Sequence, residues 1–285
     1  MNHPLEQTLA RVRQLNADLR PEPGLPSTGD WVSVPEHFAP GASWLTAMIA
    51  EAQRRLHTRS PAIIGSTILQ GYQWPLVGTA VACYLLDRRV PDISLANTRV
   101  GYTGHEAAAL ALLGGRFTAL PDDPAAGHPD VTVVSDSAML RALLRREIEA
   151  HLGAVIARIC AAVGCKPRGL WLNVADALAG TVLWLAQQQQ PCSPAQLEAE
   201  VDALVRVPGA PFASARLGLV VLTYRERTRV FLDRATCCYW YKTDQGEYCS
   251  TCPHRTPEDR RQRLLKYLAE EHVRQAEVAV KEAAT

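Results

Sequence analysis

Four cysteines near the C-terminus form the pattern C-C-x10-C-x2-C. They are Cys237, Cys238, Cys249 and Cys252. Cysteine thiolates are soft ligands that bind zinc, copper(I) and iron–sulfur clusters, so the pattern predicts a metal centre. Residues 239–248 begin with three aromatic residues, which are typical of strands. If these residues form a β-hairpin with its turn at Asp244-Gln245-Gly246, Cys237 lies opposite Cys252 and the four sulfurs converge.

The adjacent pair of cysteines helps to distinguish between two kinds of metal centre. Structural zinc sites usually take their ligands from two C-x2–4-C knuckles or from cysteine and histidine pairs. Here one half of the pattern is Cys237-Cys238, and neighbouring side chains diverge, which suits two separate irons better than one tetrahedral ion. The residues therefore favour a [2Fe-2S] cluster, and zinc stays as the alternative. The spacing is neither the plant-type nor the bacterial ferredoxin pattern.

Charged and aromatic residues surround the cysteines. Residues 225–266 contain ten Lys and Arg against six Asp and Glu, a net charge of +4, whereas the whole chain has +1. Positive charge near an iron–sulfur cluster favours its reduced form. The candidates for this role are Arg234, Lys242 and Arg255. Tyr239 and Trp240 are predicted to lie beside the metal centre, where one of them could pack on a substrate, and His254 is predicted to be a surface residue or a neighbour of the ligands.

The cysteine pattern resembles that of the FhuF-type ferric-siderophore reductases. The resemblance includes the C-C-x10-C-x2-C ending, the preceding sequence PheLeuAspArgAlaThr and the segment GlyLeuTrpLeuAsnValAlaAspAlaLeuAlaGly at 169–180. It implies a cytoplasmic [2Fe-2S] protein that passes one electron to the ferric ion of an imported siderophore, such as a hydroxamate, and releases Fe(II). The four cysteines would be the cluster ligands and would act catalytically through the cluster. The family often has two basic residues shortly before the double cysteine, whereas here Arg234 is followed by Ala235.

Two other functions are compatible with the residues. The first is a binding module in which the four cysteines hold structural zinc and the helical body docks a partner. The second is an iron–sulfur regulator, against which the lack of a recognisable DNA-reading helix or basic arm argues. A net charge of +1 and a pI of about 7.6 indicate no nucleic-acid partner.

Motifs that the sequence lacks predict the source of electrons and the compartment of the protein. The sequence has no phosphate-binding glycine loop, so an external donor, such as a ferredoxin or an NAD(P)H-dependent flavoprotein, is expected to supply electrons. It has no apolar leader and no run of 18 apolar residues, which predicts a cytoplasmic protein without an integral membrane segment. In such a reducing compartment the other cysteines are expected to be free thiols. Cys83 and Cys160 are interpreted as core residues, and no role is evident for Cys165 and Cys192.

The remaining sequence predicts an α+β fold that is predominantly helical. A helical body carries a small β-sheet and a C-terminal cysteine-bearing β-hairpin followed by a helix. The predicted regions are an N-terminal helix and linker (1–30), a mixed α/β region (31–134) and a helical core (135–285) that includes the [2Fe-2S]-binding region (217–256). Helices are predicted at 4–19, 43–56, 62–86 with a break or kink at Trp74-Pro75, 135–163, 170–188, 194–206 after the cap Ser193, and from Pro257 onwards.

Strands are predicted in two places. Residues 93–102 alternate in a strand-like way and are expected to pair with 115–120, and residues 217–224 and 229–232 lead into the cysteines. The last helix is expected to pack over the cluster region through one apolar face. That face contains Leu264, Leu265, Leu268 and Val273.

Overall fold

The computed structural model describes residues 3–16, 18–104, 106–189 and 193–283, so Cys192 lies outside the described residues. Helices dominate this part of the chain. They are α1 (Pro4–Leu15), α2 (Val34–His37), α3 (Ser43–Arg55), α4 (Pro61–Asp87), α5 (Ser137–Val163), α6 (Pro167–Gln189), α7 (Pro194–Leu204) and α8 (Pro257–Ala283). The strands are β1 (Pro21–Pro23), β2 (Trp31–Val32), β3 (Val90–Pro91), β4 (Thr98–Thr103), β5 (Glu106–Leu112), β6 (Phe117–Ala119), β7 (Val131–Val133), β8 (Gly218–Tyr224) and β9 (Arg227–Asp233).

This arrangement confirms the predicted α+β, predominantly helical fold, with a C-terminal strand hairpin followed by a helix. The cysteines follow the hairpin directly, between β9 and α8. The division of the chain into regions 1–30, 31–134 and 135–285 stays a prediction.

Local sequence signals set the ends of the helices. Ser193 caps α7 in a reciprocal capping box with Gln196, and Pro194 occupies the first turn. Asp136 caps α5 by accepting a hydrogen bond from the Met139 amide at 2.9 Å. Of the break or kink predicted at Trp74-Pro75, the break is wrong, because the helix continues through Pro75. Pro75 is buried where α4 packs against α5 and α6, and this packing stabilises the helix despite the missing N–H.

Helix α4 lies at the centre of the fold and contacts α1, α3, α5, α6 and strand β5. Most of its residues from Ile64 to Tyr84 are buried, so it is apolar on nearly all faces. Gly78 makes one of these contacts possible, because a Cβ there would lie 2.4 Å from Leu19 Cδ2. Helix α6, which packs on α4, is long and apolar enough to span a membrane by length and composition alone, and most of that stretch is buried inside the protein.

Two small sheets cover the other side of α4. One sheet has the order β1-β5-β4-β2, and the second has the order β3-β6-β7. The predicted pairing of 93–102 with 115–120 is wrong: β4 pairs with β5, and β6 pairs with β3 and β7. The sequence of β5, GluAlaAlaAlaLeuAlaLeu, is rich in alanine, which is uncommon in strands. That composition concealed the strand.

The C-terminal hairpin and the last helix form a separate apolar cluster. Leu222 of β8 packs against Leu264 and Leu268 of α8. The expectation that this helix packs over the [2Fe-2S]-binding region (217–256) is confirmed, and its apolar face covers the hairpin at the start of that region. Val273, which was assigned to that face, is 55% exposed.

A buried ion pair ties the N-terminal helix to the body. Arg89 donates to both carboxylate oxygens of Asp123, at 2.8 and 2.7 Å, and the two side chains are only 8% and 6% exposed. Arg89 also donates to the Pro4 carbonyl at 2.8 Å and to Thr8 Oγ1 at 3.1 Å, both in α1. The Arg89 guanidinium holds the pKa of Asp123 below its usual value.

We expect Asp123→Asn to lower the free energy of unfolding by about 3 kcal/mol, because it leaves the buried Arg89 charge without its partner. A carboxyl whose pKa is depressed in the folded state stabilises the protein at neutral pH, and this contribution is lost as the pH falls through the folded-state pKa. Wild type should therefore lose stability more steeply than Asp123→Asn below about pH 4. Urea unfolding at several pH values measures both effects. The exposed neighbour Asp122→Asn is the control, and equal stabilities of the two variants would contradict the assignment.

Candidate metal centre

The structure brings the four predicted cysteines together in the loop between β9 and α8. Cys237 and Cys252 are buried, at 7% and 1% exposure, whereas Cys238 and Cys249 are half-buried. The thiols of Cys237 and Cys249 both interact with the Cys238 sulfur, and Cys252 lies close enough to influence Cys237 and Cys249 electrostatically. One pair thus faces the interior and the other lies nearer the surface.

The ten residues between the pairs do not form the predicted β-hairpin. Residues Trp240–Lys242 form a 3-10 turn, and no residue from 234 to 256 is in a strand. Tyr239 adopts a left-handed conformation with φ of 58°, which is rare for a bulky side chain. Its amide donates to Cys237 Sγ at 3.3 Å, and the Trp240 amide donates to Cys238. These amides bond sulfur instead of an opposite strand.

Gly246 closes the turn of this loop. Its amide donates to the Thr243 carbonyl at 3.0 Å, so the chain folds back over the 3-10 turn. A Cβ at this position would lie 1.7 Å from the Trp240 carbonyl oxygen, which belongs to the backbone and cannot move aside cheaply. Only glycine fits this close approach.

The carboxylate of Asp176, on α6, holds the start of the loop. It accepts hydrogen bonds from the Ala235 amide at 2.7 Å, the Thr236 amide at 3.0 Å and the Thr236 hydroxyl at 2.8 Å. Arg234 Nε lies 3.3 Å from the same carboxylate. The side chain of Asp176 is 4% exposed. Sequence reasoning did not single out this residue, although it lies in the quoted segment 169–180.

Asn173, one turn before Asp176 on α6, extends this network to α4. Its side-chain oxygen accepts from the Thr236 hydroxyl and from Gln70 Nε2, both at 3.1 Å. Its side-chain nitrogen donates to Ser66 Oγ at 2.8 Å. The residue before Cys237 is therefore tied to two core helices.

Arg234 lies beside the sulfurs, where the sequence predicted positive charge. Its side chain is 21% exposed. Burial opposes its charge, but Asp176 and the sulfurs of Cys238 and Cys249 outweigh burial and raise its pKa. Arg234 therefore stays protonated at the metal centre.

Arg255 holds the second half of the loop. Its guanidinium donates to the Cys249 carbonyl at 3.0 Å and to the Tyr248 carbonyl, and it pairs with Asp259 at 2.7 Å. Its side chain is only 10% exposed. Arg255 thus orders the backbone that carries Cys249.

The aromatic residues of the loop lie at its surface. Trp240 is 50% exposed, and Tyr239 is half-buried next to Cys237. His254 is exposed, as predicted, and its ring lies 5.4 Å from that of Tyr241 and 5.7 Å from that of Tyr248. Lys242 lies over the Tyr241 ring at 5.7 Å.

The four thiols of the loop interact strongly with one another. Hydrogen bonds from Cys237 and Cys249 lower the pKa of Cys238 to about 2. The same interactions with Cys238 raise the pKa values of Cys237 and Cys249 well above their ordinary value. Four thiolates cannot occupy this volume together unless positive charge neutralises them. The donor set therefore fits a metal centre with four thiolate ligands.

In the described part of the chain, one group of side chains offers three possible ligand atoms within 4.8 Å of one another. The group consists of His3, His128 and Asp130, far from the cysteines in sequence.

The histidine and aspartate set has structural roles already. His3 Nδ1 accepts from the Leu5 amide at 3.1 Å, and His128 Nδ1 accepts from the Asp130 amide at 3.2 Å. Each neutral ring then carries its proton on Nε2. His3 Nε2 lies 3.1 Å from Asp130, which links α1 to the start of β7.

Comparison with known proteins identifies both the family and the cofactor. A family model described as "Ferric iron reductase FhuF-like transporter" matches residues 67–217, more than half of the chain. A second model, described as "FhuF 2Fe-2S C-terminal domain", matches residues 234–254, which contain all four cysteines. No curated protein matches the chain. The second match shows that the cofactor is a [2Fe-2S] cluster, and the residues present fit it.

Asp176→Asn is expected to lower the iron and sulfide content of the purified protein by more than half. The amide keeps one acceptor oxygen but turns a donor toward the Thr236 amide, which leaves buried donors unpaired at a cost of about 1–3 kcal/mol. Iron and acid-labile sulfide assays on anaerobically prepared protein measure the effect. Asp202→Asn, at an exposed position on α7, is the control. Full cluster content in Asp176→Asn would show that the loop is held by other contacts.

Arg234→Gln is expected to lower the midpoint potential of the cluster by tens of millivolts. The substitution removes a positive charge next to the sulfurs and leaves the negative charge of Asp176 without that partner. Both effects disfavour the more negative reduced form of the cluster. For a one-electron couple, about 59 mV is a tenfold change in the equilibrium constant. A spectroelectrochemical titration measures the potential, with Arg261→Gln at an exposed position as the control. Equal potentials in wild type and Arg234→Gln would exclude this role.

Proposed function

Because the chain belongs to the FhuF-like ferric iron reductase family, we propose that it reduces Fe(III) held by a siderophore to Fe(II) in the cytoplasm. The family supports a reductase that acts on ferric iron. Siderophores bind iron through hard oxygen ligands, which hold Fe(II) far less tightly than Fe(III). A one-electron reduction is therefore sufficient to release the metal. When bound, the [2Fe-2S] cluster supplies single electrons.

The observation that carries this proposal is the asymmetric burial of the ligands. Cys237 and Cys252 are buried against the body, whereas Cys238 and Cys249 are half-buried. The Cys238 and Cys249 side of the metal centre therefore lies toward solvent, where a substrate outside the protein can approach. A purely structural site has no need for this exposure.

A groove beside the cysteine loop supports binding of part of a siderophore. It has a volume of about 340 Å³ and lies between α6, β9 and α8. Ser250, which follows Cys249, is part of its lining. Its walls are mainly apolar and include Leu183, Trp184, Phe231, Leu232 and Tyr267.

The charge of this groove favours an uncharged ferric complex. Arg229 is the one charged side chain in its lining, and both oxygens of Glu271 accept from it at 2.6 Å. Three hydroxamates on Fe(III) give a neutral complex, whereas three catecholates give a complex with three negative charges. We therefore include a hydroxamate siderophore in the proposal.

The chain's own residues position and tune the site. Asp176 and Arg255 order the two halves of the cysteine loop, and Arg234 keeps positive charge at the sulfurs. The sequence contains no nucleotide-binding motif, so we propose an external electron donor, such as a ferredoxin or an NAD(P)H-dependent flavoprotein. Arg255 and Arg260 are paired with Asp259 and Asp233, which leaves the exposed Arg261 as a better candidate for contact with an acidic donor.

Anaerobic mixing of the reduced protein with a ferric trihydroxamate tests the proposal. We expect the spectrum of the oxidised cluster to return and about one Fe(II) per chain to be trapped by an Fe(II)-specific chelator, because the cluster transfers one electron. A ferric tris-catecholate should react more slowly. Cys83→Ser, which changes a buried cysteine outside the loop, should behave like wild type. A reduced protein that stays reduced in the presence of every ferric siderophore would contradict the proposal.

Trp184→Ala tests the groove separately. Loss of a large aromatic contact should weaken siderophore binding about tenfold, equivalent to about 1.4 kcal/mol, without changing the cluster's spectrum. Val273→Ala, on the exposed face of α8, is the matched control. If Trp184→Ala leaves the dependence on siderophore concentration unchanged, the substrate binds elsewhere.

A further inference from the structure

Two cysteines outside the metal centre lie close together where α5 ends. Gly164 adopts a left-handed conformation with φ of 76°, and its amide bonds the Cys160 carbonyl at 2.9 Å. A glycine cap of this kind turns the chain back, so that the residue after the glycine contacts the last turn of the helix. Here those two residues are Cys165 and Cys160, and their sulfurs are 3.1 Å apart.

We propose that Cys160 and Cys165 form a redox-active dithiol that closes reversibly to a disulfide. The oxidant is a small disulfide such as oxidised glutathione. A thiolate of the pair attacks one sulfur of oxidised glutathione, which forms a mixed disulfide with the protein and expels one reduced glutathione. The second thiol of the pair then attacks the protein sulfur of this mixed disulfide and expels the remaining glutathione. Two protein thiols and one oxidised glutathione thus give one protein disulfide and two reduced glutathiones.

The geometry is close to that of the product. A disulfide bond is about 2.05 Å long, so the sulfurs must approach by about 1 Å from their separation of 3.1 Å. Both side chains are half-buried, which leaves them accessible to small thiol reagents, whereas Cys83 is completely buried. A disulfide that forms in a reducing compartment is usually transient and either catalytic or redox-sensing.

The two thiols have different roles in this exchange. Cys165 lies in the connection between α5 and α6, where its neighbours Gly164 and Lys166 are exposed, and it is the thiol that attacks first. Cys160 lies within α5, and burial and the hydrogen bond with Cys165 raise its pKa to about 12. Cys160 then reacts within the protein, where its position next to Cys165 compensates for its low ionisation.

The pair lies next to the hydrogen bonds that hold the cysteine loop. The sulfur of Cys165 packs against Gly65 of α4, where a Cβ would lie only 2.9 Å away. The next residue, Ser66, accepts from Asn173, and Asn173 in turn accepts from Thr236. Movement of Cys165 toward Cys160 changes the contact with Gly65. Through Ser66, Asn173 and Thr236, this change alters the position of the loop that holds the [2Fe-2S] cluster.

Equilibration of the anaerobic holoprotein with mixtures of reduced and oxidised glutathione tests the proposal. After acid quenching and alkylation, peptide mass spectrometry should show a Cys160–Cys165 disulfide in most molecules when oxidised glutathione is in large excess, and dithiothreitol should reverse it. Cys160→Ser should accumulate a mixed disulfide at Cys165, whereas Cys165→Ser should leave Cys160 largely unmodified. Cys83→Ser should match wild type.

Two further readouts do not depend on the serine variants. The reduced wild-type protein should bind one trivalent arsenical, phenylarsine oxide, which bridges paired thiols, and the glutathione-oxidised protein should bind none. Visible circular dichroism of the cluster should change when oxidised glutathione closes the disulfide in the wild-type protein, and the original spectrum should return when the disulfide is reduced. Alkylation of both thiols at every glutathione ratio would overturn the proposal, and an unchanged circular dichroism spectrum would overturn its connection to the cluster.

Discussion

The carboxylate of Asp176 connects the helical body to the metal centre. It accepts from two consecutive backbone amides, at Ala235 and Thr236, and from the Thr236 hydroxyl, directly before Cys237. A buried carboxylate without such partners would be strongly destabilising, and so would buried amides without an acceptor. The Asp176 carboxylate and the two loop amides therefore each require the other as a hydrogen-bond partner. Because α6 packs against α4, α7 and β9, its position in the body fixes where the first two cysteines lie.

The rest of the loop follows from this anchor. Tyr239 turns the chain through a left-handed conformation, which directs amides at the sulfurs, and Gly246 allows the chain to fold back over the Trp240 carbonyl. Arg255 fixes the second half by bonding the backbone at Tyr248 and Cys249. The two halves of the loop are thus held by different residues, Asp176 on α6 and Arg255 just before the start of α8.

Sequence reasoning predicted what depends on local residue types. The capping residue Ser193 marked the start of α7, and the four cysteines gave the metal centre. Features set by distant contacts were not predicted. Strand β5 was hidden because its alanines gain strand structure only by pairing with β1 and β4. The hairpin expected in the cysteine loop failed because its amides bond sulfur, and Asp176 was overlooked because its partners lie about 60 positions later.

Amide hydrogen exchange at Ala235 and Thr236 shows whether Asp176 or the cluster orders the cysteine loop. If the helical body positions the loop through Asp176, both amides should be strongly protected in the holoprotein, and should stay protected after the cluster is removed. Buried α6 amides provide the internal reference for global stability. If Ala235 and Thr236 exchange as fast as an unstructured peptide in the cluster-free protein while α6 stays protected, the cluster orders the loop and Asp176 does not.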